Sequence, residues 1–258
     1  MRKDSLIMIN KYRKLGAIIL AAGKGKRMNT KNKNKVTFTL ADKPLVKHSV
    51  DLLEDMHFHS VVVVIGYAKE SVKEVLKNDT HIIFAEQTKR LGTAHAVATG
   101  FRKISQDVTD ILVIQGDDSA FYTHEIIAQL AAKHIASNAA ITFLTVKLEN
   151  PFALGRVVRD NEGKVTAIVE EKDATEEQRA IQEINAACYF FSTKFLNKYL
   201  KQIRKSPVTG EYYIVSLIEL AAKNKEIVET MQVEIPWRGV NTQEELKEAE
   251  QLFAQLKK

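Results

Sequence analysis

Residues 15–28 read LGAIILAAGKGKRM, and this run sets the terms for the rest of the chain. Positions 16–20 form a short apolar stretch of the kind that makes a buried strand, and Gly23 and Gly25 then punctuate a turn where backbone can approach a ligand without Cβ obstruction. The loop also carries Lys24, Lys26 and Arg27. Free backbone N–H groups and three cations therefore converge where the strand ends, which is what a polyphosphate requires. The dinucleotide fingerprint G-x-G-x-x-G is not completed, because Met28 stands where its third glycine belongs, and no second glycine followed by Lys and Ser/Thr makes a P-loop.

Downstream, apolar strand-like runs alternate with amphipathic helical ones. Strands are expected at 61–65, 81–85 and 110–114, and helices from Asp42-Lys43-Pro44, at 70–77, at 93–101 and at about 123–136. The β-branched run at 61–65 suggests cover on both faces, so the pattern predicts a Rossmann-like, doubly wound α/β sheet with ligands at the carboxyl ends of its strands. Past Ala139 the pattern changes. A strand at 139–146 is followed by a hairpin, 156–159 and 164–169 around Asp160-Asn161-Glu162-Gly163, then a strand at 185–191. Helices at 193–203 and 212–223, a strand near 227–233 and a closing helix at 242–256 complete the reading. Residues 1–14 read as an extension, and 15–258 as one domain whose second half is a mixed-sheet lobe completing the pocket.

A chain of 258 residues can bury roughly 70–75 % of its unfolded surface, enough for a large core. Cys188 is the only cysteine, which excludes an intrachain disulfide and the Cys-rich zinc motifs. None of the seven histidines sits in a His-Glu-x-x-His pattern, so no zinc site is expected. The N-terminus lacks the apolar core of a signal peptide, and no run approaches the ~20 apolar residues of a membrane span, so a cytoplasmic location without membrane association is expected. Lys and Arg outnumber Asp and Glu by 38 to 32. That excess permits a nucleic-acid surface, but no aromatic residue interleaves with the basic ones of the 24–35 run before Phe38, so no nucleic-acid partner is expected.

Three segments at expected strand ends carry candidate chemistry: the glycine loop, Gln87 to Thr93, and Gly116-Asp117. A bound nucleoside triphosphate brings a divalent cation, and magnesium needs few protein oxygens besides phosphate and water. Asp117 is the best-placed carboxylate and Asn241 a candidate second ligand; equally, Asp117 suits an ordinary turn, and Asn241 or Thr242 suits a helix cap. Gln87 can match the donor and acceptor edge of uracil or thymine, and Gly92-Thr93 opens a helix with free N–H groups, though Thr93 also fits a plain N-cap. Glu170 and Asn185 can hydrogen-bond a sugar; Glu170 also fits an exposed hairpin charge.

LAAGKGKRM, Lys35, Gln87 with LGTAHA, Gly116-Asp117, Gly155-Arg156, GKVTAIVEEKDAT, IQEIN, GEYYI and GVN occur together in order. The chain thereby resembles, from about Leu15 to Gln251, the uridylyltransferase domain of bacterial bifunctional enzymes that make UDP-N-acetylglucosamine. That resemblance implies a fold of the nucleotide-diphospho-sugar transferase type with a hairpin-containing sugar-binding lobe. It further implies UTP and a sugar 1-phosphate, foremost N-acetylglucosamine 1-phosphate, as substrates, and Mg2+ as cofactor. Leu20, Ala21, Ala22, Gly23 and Gly25 with Gln87, Gly92 and Thr93 are then expected to bind the nucleotide, and Arg27, Lys35 and Asp117 to be catalytic. Asp117 and Asn241 are expected to hold the metal, and Gly155, Glu170 and Asn185 the sugar.

The sequence departs from the family pattern at Gln115, at Asp118-Ser119 in place of an apolar-Pro pair, and at Leu154 in place of Tyr. No hexapeptide-repeat acetyltransferase domain follows, so acetyl transfer is not expected. Other readings are a thymidylyl-, cytidylyl- or guanylyltransferase of another small metabolite, and a non-catalytic nucleotide-sugar sensor.

Overall fold

Every residue of β1 (Leu15–Ala21) is buried, as its apolar run requires, and alternate side chains enter opposite sides of the molecule: Ala17 and Ile19 join one core, Ile18 and Leu20 the other. The computed structural model describes residues 13–28, 32–151, 153–235 and 239–256. Residues 1–12 of the expected N-terminal extension, and Trp237 and Arg238 ahead of Asn241, lie outside the described residues.

After β1 come a short ribbon, β2 (Thr39–Leu40) and β3 (Lys43–Pro44), then α1 (Leu45–Asp55), β4 (Ser60–Ile65), α2 (Lys69–Val75), β5 (Ile82–Glu86), α3 (Thr93–Phe101), β6 (Asp110–Gln115) and α4 (His124–Ala136). The second half contributes β7 (Ile141–Lys147), the hairpin β8 (Arg156–Arg159) and β9 (Val165–Val169), α5 (Glu176–Arg179), β10 (Glu183–Ser192), α6 (Thr193–Tyr199), α7 (Ser216–Lys223), β11 (Val228–Gln232) and α8 (Gln243–Leu256).

The main sheet runs β11-β7-β10-β6-β1-β4-β5, with β8 attached to β10 and β9 to β8. Strands β6, β1, β4 and β5 are parallel, while β10 runs antiparallel to both β6 and β7. Helices α1, α4 and α8 cover one face through Val46, Leu53, Ile127, Leu130 and Ala249. On the other face α3, α6 and α7 bury Val97, Leu196 and Ile218. This is the doubly wound mixed α/β sheet that the alternation of apolar patterns predicts. No helix among the described residues is long and apolar enough to cross a membrane.

Three details differ from expectation. Lys43-Pro44 does not open α1: it pairs with Thr39-Leu40 across a turn in which Ala41 and Asp42 both have positive φ, and Pro44 becomes the residue before the helix. The helix expected from 212 begins only at Ser216, because Tyr212 donates its N–H to Leu91 O (2.8 Å) and accepts from Ala94 N (2.9 Å), spending its backbone on the α3 entry. Helix α5 is additional, and it is held by a reciprocal capping box between Thr175 and Gln178.

Candidate active site

The carboxyl ends of β1, β5 and β6 open onto one cleft of about 570 Å³. Leu20, Ala22, Gly23 and Gly25 line it from β1 and its loop, Gln87, Gly92 and Thr93 from the turn after β5, and Gln115 and Asp117 from β6. The three strand ends singled out in the sequence thus meet. Ala21 differs from its neighbours: its side chain belongs to the opposite core, and it reaches this end through its carbonyl, which accepts from Asn34 Nδ2 (3.0 Å).

Asn34 shapes the glycine loop. Fully buried, its carboxamide nitrogen also reaches Gly23 O (3.2 Å) and Tyr67 O (2.8 Å), while its oxygen accepts from Val36 N (3.2 Å). Gly25 lies at φ +58°, and a Cβ there would stand 3.0 Å from Lys35 Cβ. Glycine at this position therefore permits both the turn and the close passage of Lys35.

Lys35 is the centre of the charged floor. Its ammonium is paired with Asp117 and donates to Asn241 Oδ1 at 3.0 Å. Burial alone would lower the Lys35 pKa, but Asp117 and then Asp118 outweigh it and hold the group above its ordinary value. Asp118 accepts from Val240 N (3.3 Å), tying the loop after β6 to the segment carrying Asn241. Burial and the adjacent Asp117 push Asp118 well above the usual carboxylate range. Arg27 is exposed in the short 3-10 turn Lys26–Met28, and its charge is felt at Lys35.

The competing cap role of Asn241 is taken by its neighbour. Thr242 Oγ1 accepts from Glu245 N (3.1 Å), and Glu245 Oε2 accepts from Thr242 N (3.0 Å), a reciprocal cap for α8. The Asn241 carboxamide is thereby left to face the cleft floor. Two oxygens from residues far apart in sequence meet at the Lys35 ammonium. A carboxylate and an amide oxygen are hard donors of the kind Mg2+ takes, so the residues present fit that ion.

Gln87 is buried, and its Nε2 donates to Gly92 O (3.2 Å), which fixes which end of the carboxamide is nitrogen. The same nitrogen lies 3.0 Å from His95 Nδ1, which must then accept. Burial, with Arg102 adding to it, lowers the His95 pKa and favours that neutral ring. Thr93 is not the N-cap of α3: Gly92 precedes the helix at φ +109°, and Thr93 Oγ1 accepts from Ile214 N (2.9 Å). A Cβ on Gly92 would stand 2.5 Å from Tyr212 O.

The second group forms beside the hairpin lobe. Asn185 N donates to Gly155 O (2.9 Å), and a Cβ on Gly155 would lie 3.8 Å from Glu170 Oε1 and 3.9 Å from Asn185 Cβ, so all three residues converge. A register shift in β10 between Asn185 and Tyr189, with Ala187 at φ 55°, bends the strand here. Asn185 Oδ1 accepts from Ala187 N (3.0 Å), and its Nδ2 donates to the Tyr189 hydroxyl. Burial, reinforced by Asp173 and opposed by Lys172, raises the Glu170 pKa. Glu170 is thus partly enclosed rather than a solvated hairpin charge.

Sequence reasoning missed Asn34, Asp118 as a tie, and Arg90 and Glu211, which also line the cleft. Asn34 sits in KNKNK, which reads as solvated polar chain. A larger groove of about 820 Å³ lies between α3 and α6, and no carboxylate is among the described residues that line it.

Residues 16–255 match the family model described as Nucleotidyl transferase. The bifunctional protein GlmU of a Geobacillus species is 37 % identical over 248 residues, covering 95 % of this chain but 52 % of that protein, so the chain spans about half the length of this curated relative. Two solved structures share the fold, each with a TM-score of 0.77. One is a Bacillus anthracis protein assigned as a glucose-1-phosphate thymidylyltransferase, in complex with sucrose (20 % identity; 93 % of this chain and 95 % of that one). The other is a UDP-glucose pyrophosphorylase with UDP-glucose (19 % identity; 93 % and 98 %). With a loop that can cradle phosphates, an oxygen pair that fits a divalent cation and a family model spanning nearly its whole length, the chain belongs to the nucleotidyl transferase family.

Proposed function

We propose that the protein transfers a uridylyl group from UTP to a sugar 1-phosphate, N-acetylglucosamine 1-phosphate foremost, releasing pyrophosphate and forming UDP-N-acetylglucosamine, and that residues 15–258 act as one domain in doing so. The observation that supports this reading is that Asp117 and Asn241 both pair with the Lys35 ammonium at the floor of the glycine-loop cleft. The 37 % identity to a GlmU protein supports uridylyl transfer and the amino sugar.

In this reading the backbone of Leu20 to Gly25 holds the triphosphate, and the carboxamide oxygen of Gln87 receives the imide N–H of uracil while its nitrogen stays on Gly92 and His95. Glu170 and Asn185 hold the sugar hydroxyls and the N-acetyl group. A sugar 1-phosphate has a second pKa of about 6, so at neutral pH its oxygen attacks the α-phosphorus without a general base. The bond from the α-phosphorus to the bridging oxygen breaks as the new one forms, and Lys35 and Arg27 stabilise charge gathering on the departing pyrophosphate. Mg2+ bound by Asp117 and Asn241 would reduce the repulsion between the two anionic reactants.

The test is a pyrophosphate-release assay with magnesium, crossing UTP, dTTP, CTP and GTP with the 1-phosphates of glucose, N-acetylglucosamine, galactose and mannose. UTP with N-acetylglucosamine 1-phosphate is expected to be fastest. A faster dTTP and glucose 1-phosphate pair would assign the protein to thymidylyl transfer, and tight UDP-sugar binding without turnover on any pair would make it a sensor.

A further inference from the structure

We infer that the opposite rim of the sheet holds a second divalent-cation site, formed by Glu54, Asp79 and His81 and suited to a borderline ion such as Zn2+. One ligand atom from each of the three residues lies within 4.8 Å of the other two, and His81 Nδ1 is 3.5 Å from Glu54 Oε1. Glu54 belongs to the last turn of α1, whereas Asp79 and His81 lie between α2 and the start of β5. The group therefore sits at the amino end of the parallel strands, away from the cleft at their carboxyl ends.

Proximity of acidic side chains is common on protein surfaces, and here a separate observation points to a missing ligand. The Asp79 side chain is only 6 % exposed. Its Oδ1 accepts from Lys47 Nζ at 2.6 Å, but its Oδ2 is buried without a hydrogen-bond partner among the described residues. A carboxylate oxygen removed from water and left unpaired is costly, and a cation held jointly with His81 and Glu54 would relieve that cost. Lys47 is not sufficient, because it also serves Asp51 Oδ1 at 2.5 Å.

The helix reinforces the argument. The carbonyl end of α1 is the negative pole of its dipole, its last turn contains no basic residue, and both Glu54 and Asp55 stand there. An imidazole nitrogen with two carboxylate oxygens is a mixed donor set suited to zinc-like ions, with remaining positions open to water. Bond lengths near 2.1 Å put ligand atoms ~3.4 Å apart around a tetrahedral ion, and the half-exposed Glu54 can close that distance by a rotamer change. Sequence inspection for short histidine motifs misses such a site because its ligands come from separate elements.

The experiment measures Zn2+ binding to the full chain by equilibrium dialysis with millimolar magnesium present, together with the thermal midpoint. Wild type is expected to retain about one equivalent of zinc and to melt at a higher temperature with zinc than without it. The double variant Glu54→Gln, His81→Ala should lose that equivalent and the thermal shift; both side chains are partly exposed, so the fold should survive. Asp117→Asn should keep both, which separates this site from the cleft. Wild type binding no zinc under magnesium, or a double variant with undiminished zinc and thermal shift, would overturn the inference.

Discussion

Lys35 Nζ lies 3.0 Å from Asn241 Oδ1, an amide 206 positions further along the chain, and the same nitrogen pairs with Asp117. The short turn Lys35–Thr37, the end of β6 and the entry to α8 are thus joined through one charge. Asp117→Asn keeps the shape of this junction and removes its negative charge. Turnover is expected to fall by about 10²-fold or more, with an unchanged far-UV circular dichroism spectrum. A folded variant running at near-normal rate would refute the metal role of Asp117.

Two glycines of the same loop should behave differently. At Gly25 a methyl group meets both a positive φ and Lys35 Cβ, so Gly25→Ala is expected to cost about 1–2 kcal/mol of stability and to displace the lysine, lowering kcat. At Gly23 an added Cβ meets nothing within 4 Å. Gly23→Ala should melt like wild type while raising KM for the nucleotide, because the methyl obstructs only the bound phosphates. Thermal melts and steady-state kinetics on both variants check this contrast.

The contact between Gln87 and His95 is expected to give nucleotide binding a pH dependence. The His95 pKa is depressed by burial and by Arg102, so the ring gains its proton only at a more acidic pH than an ordinary imidazole does. A protonated Nδ1 would face the Gln87 amide N–H, and KM for the nucleotide should rise on the acid side. His95→Asn retains an acceptor without a titrating ring, so its profile should be flatter. Parallel acid limbs in the two proteins would count against the coupling.

Glu170 provides the corresponding test at the hairpin lobe. Its pKa is raised above that of an ordinary glutamate by burial and by Asp173, so it is charged at high pH and loses its charge early as pH falls. Glu170→Gln removes hydrogen bonds to a charged group, worth about 1.5–3 kcal/mol. KM for the sugar 1-phosphate should rise at least about tenfold, with KM for the nucleotide unchanged. Equal changes in both constants would remove Glu170 from the sugar subsite.

Much of this architecture is legible in local pattern. The apolar runs that become β1, β4 and β6 are buried on both sides, and such strands cannot be mistaken for amphipathic surface segments. Asp42-Lys43-Pro44 misleads because proline suits a helix start and a strand edge equally, and only pairing with Thr39-Leu40 decides between them. The T-x-x-Q of Thr175 and Gln178 was a readable signature of a short helix. The choice between Asn241 and Thr242 as cap was not readable, since either residue suits the position. It is made by Glu245, whose carboxylate binds the Thr242 N–H, and by Lys35, which takes the Asn241 oxygen. Asn34 was invisible for a related reason: its side-chain nitrogen donates to main-chain carbonyls of two separate segments, at Ala21 and Gly23 and at Tyr67.

Strand β10 runs against both β6 and β7, between which it lies. Its reversed course puts its first residues, Asn185 among them, at the rim where β6 delivers Asp117, so the cleft and the Gly155–Glu170–Asn185 group share an edge although they come from different halves of the chain. The hairpin is attached to this rim through Ile184 and Arg156. Under the proposed function, a lineage could therefore remodel that hairpin to accept a new sugar while the glycine-loop cleft stays untouched, and one scaffold could diversify its products by altering a single appendage.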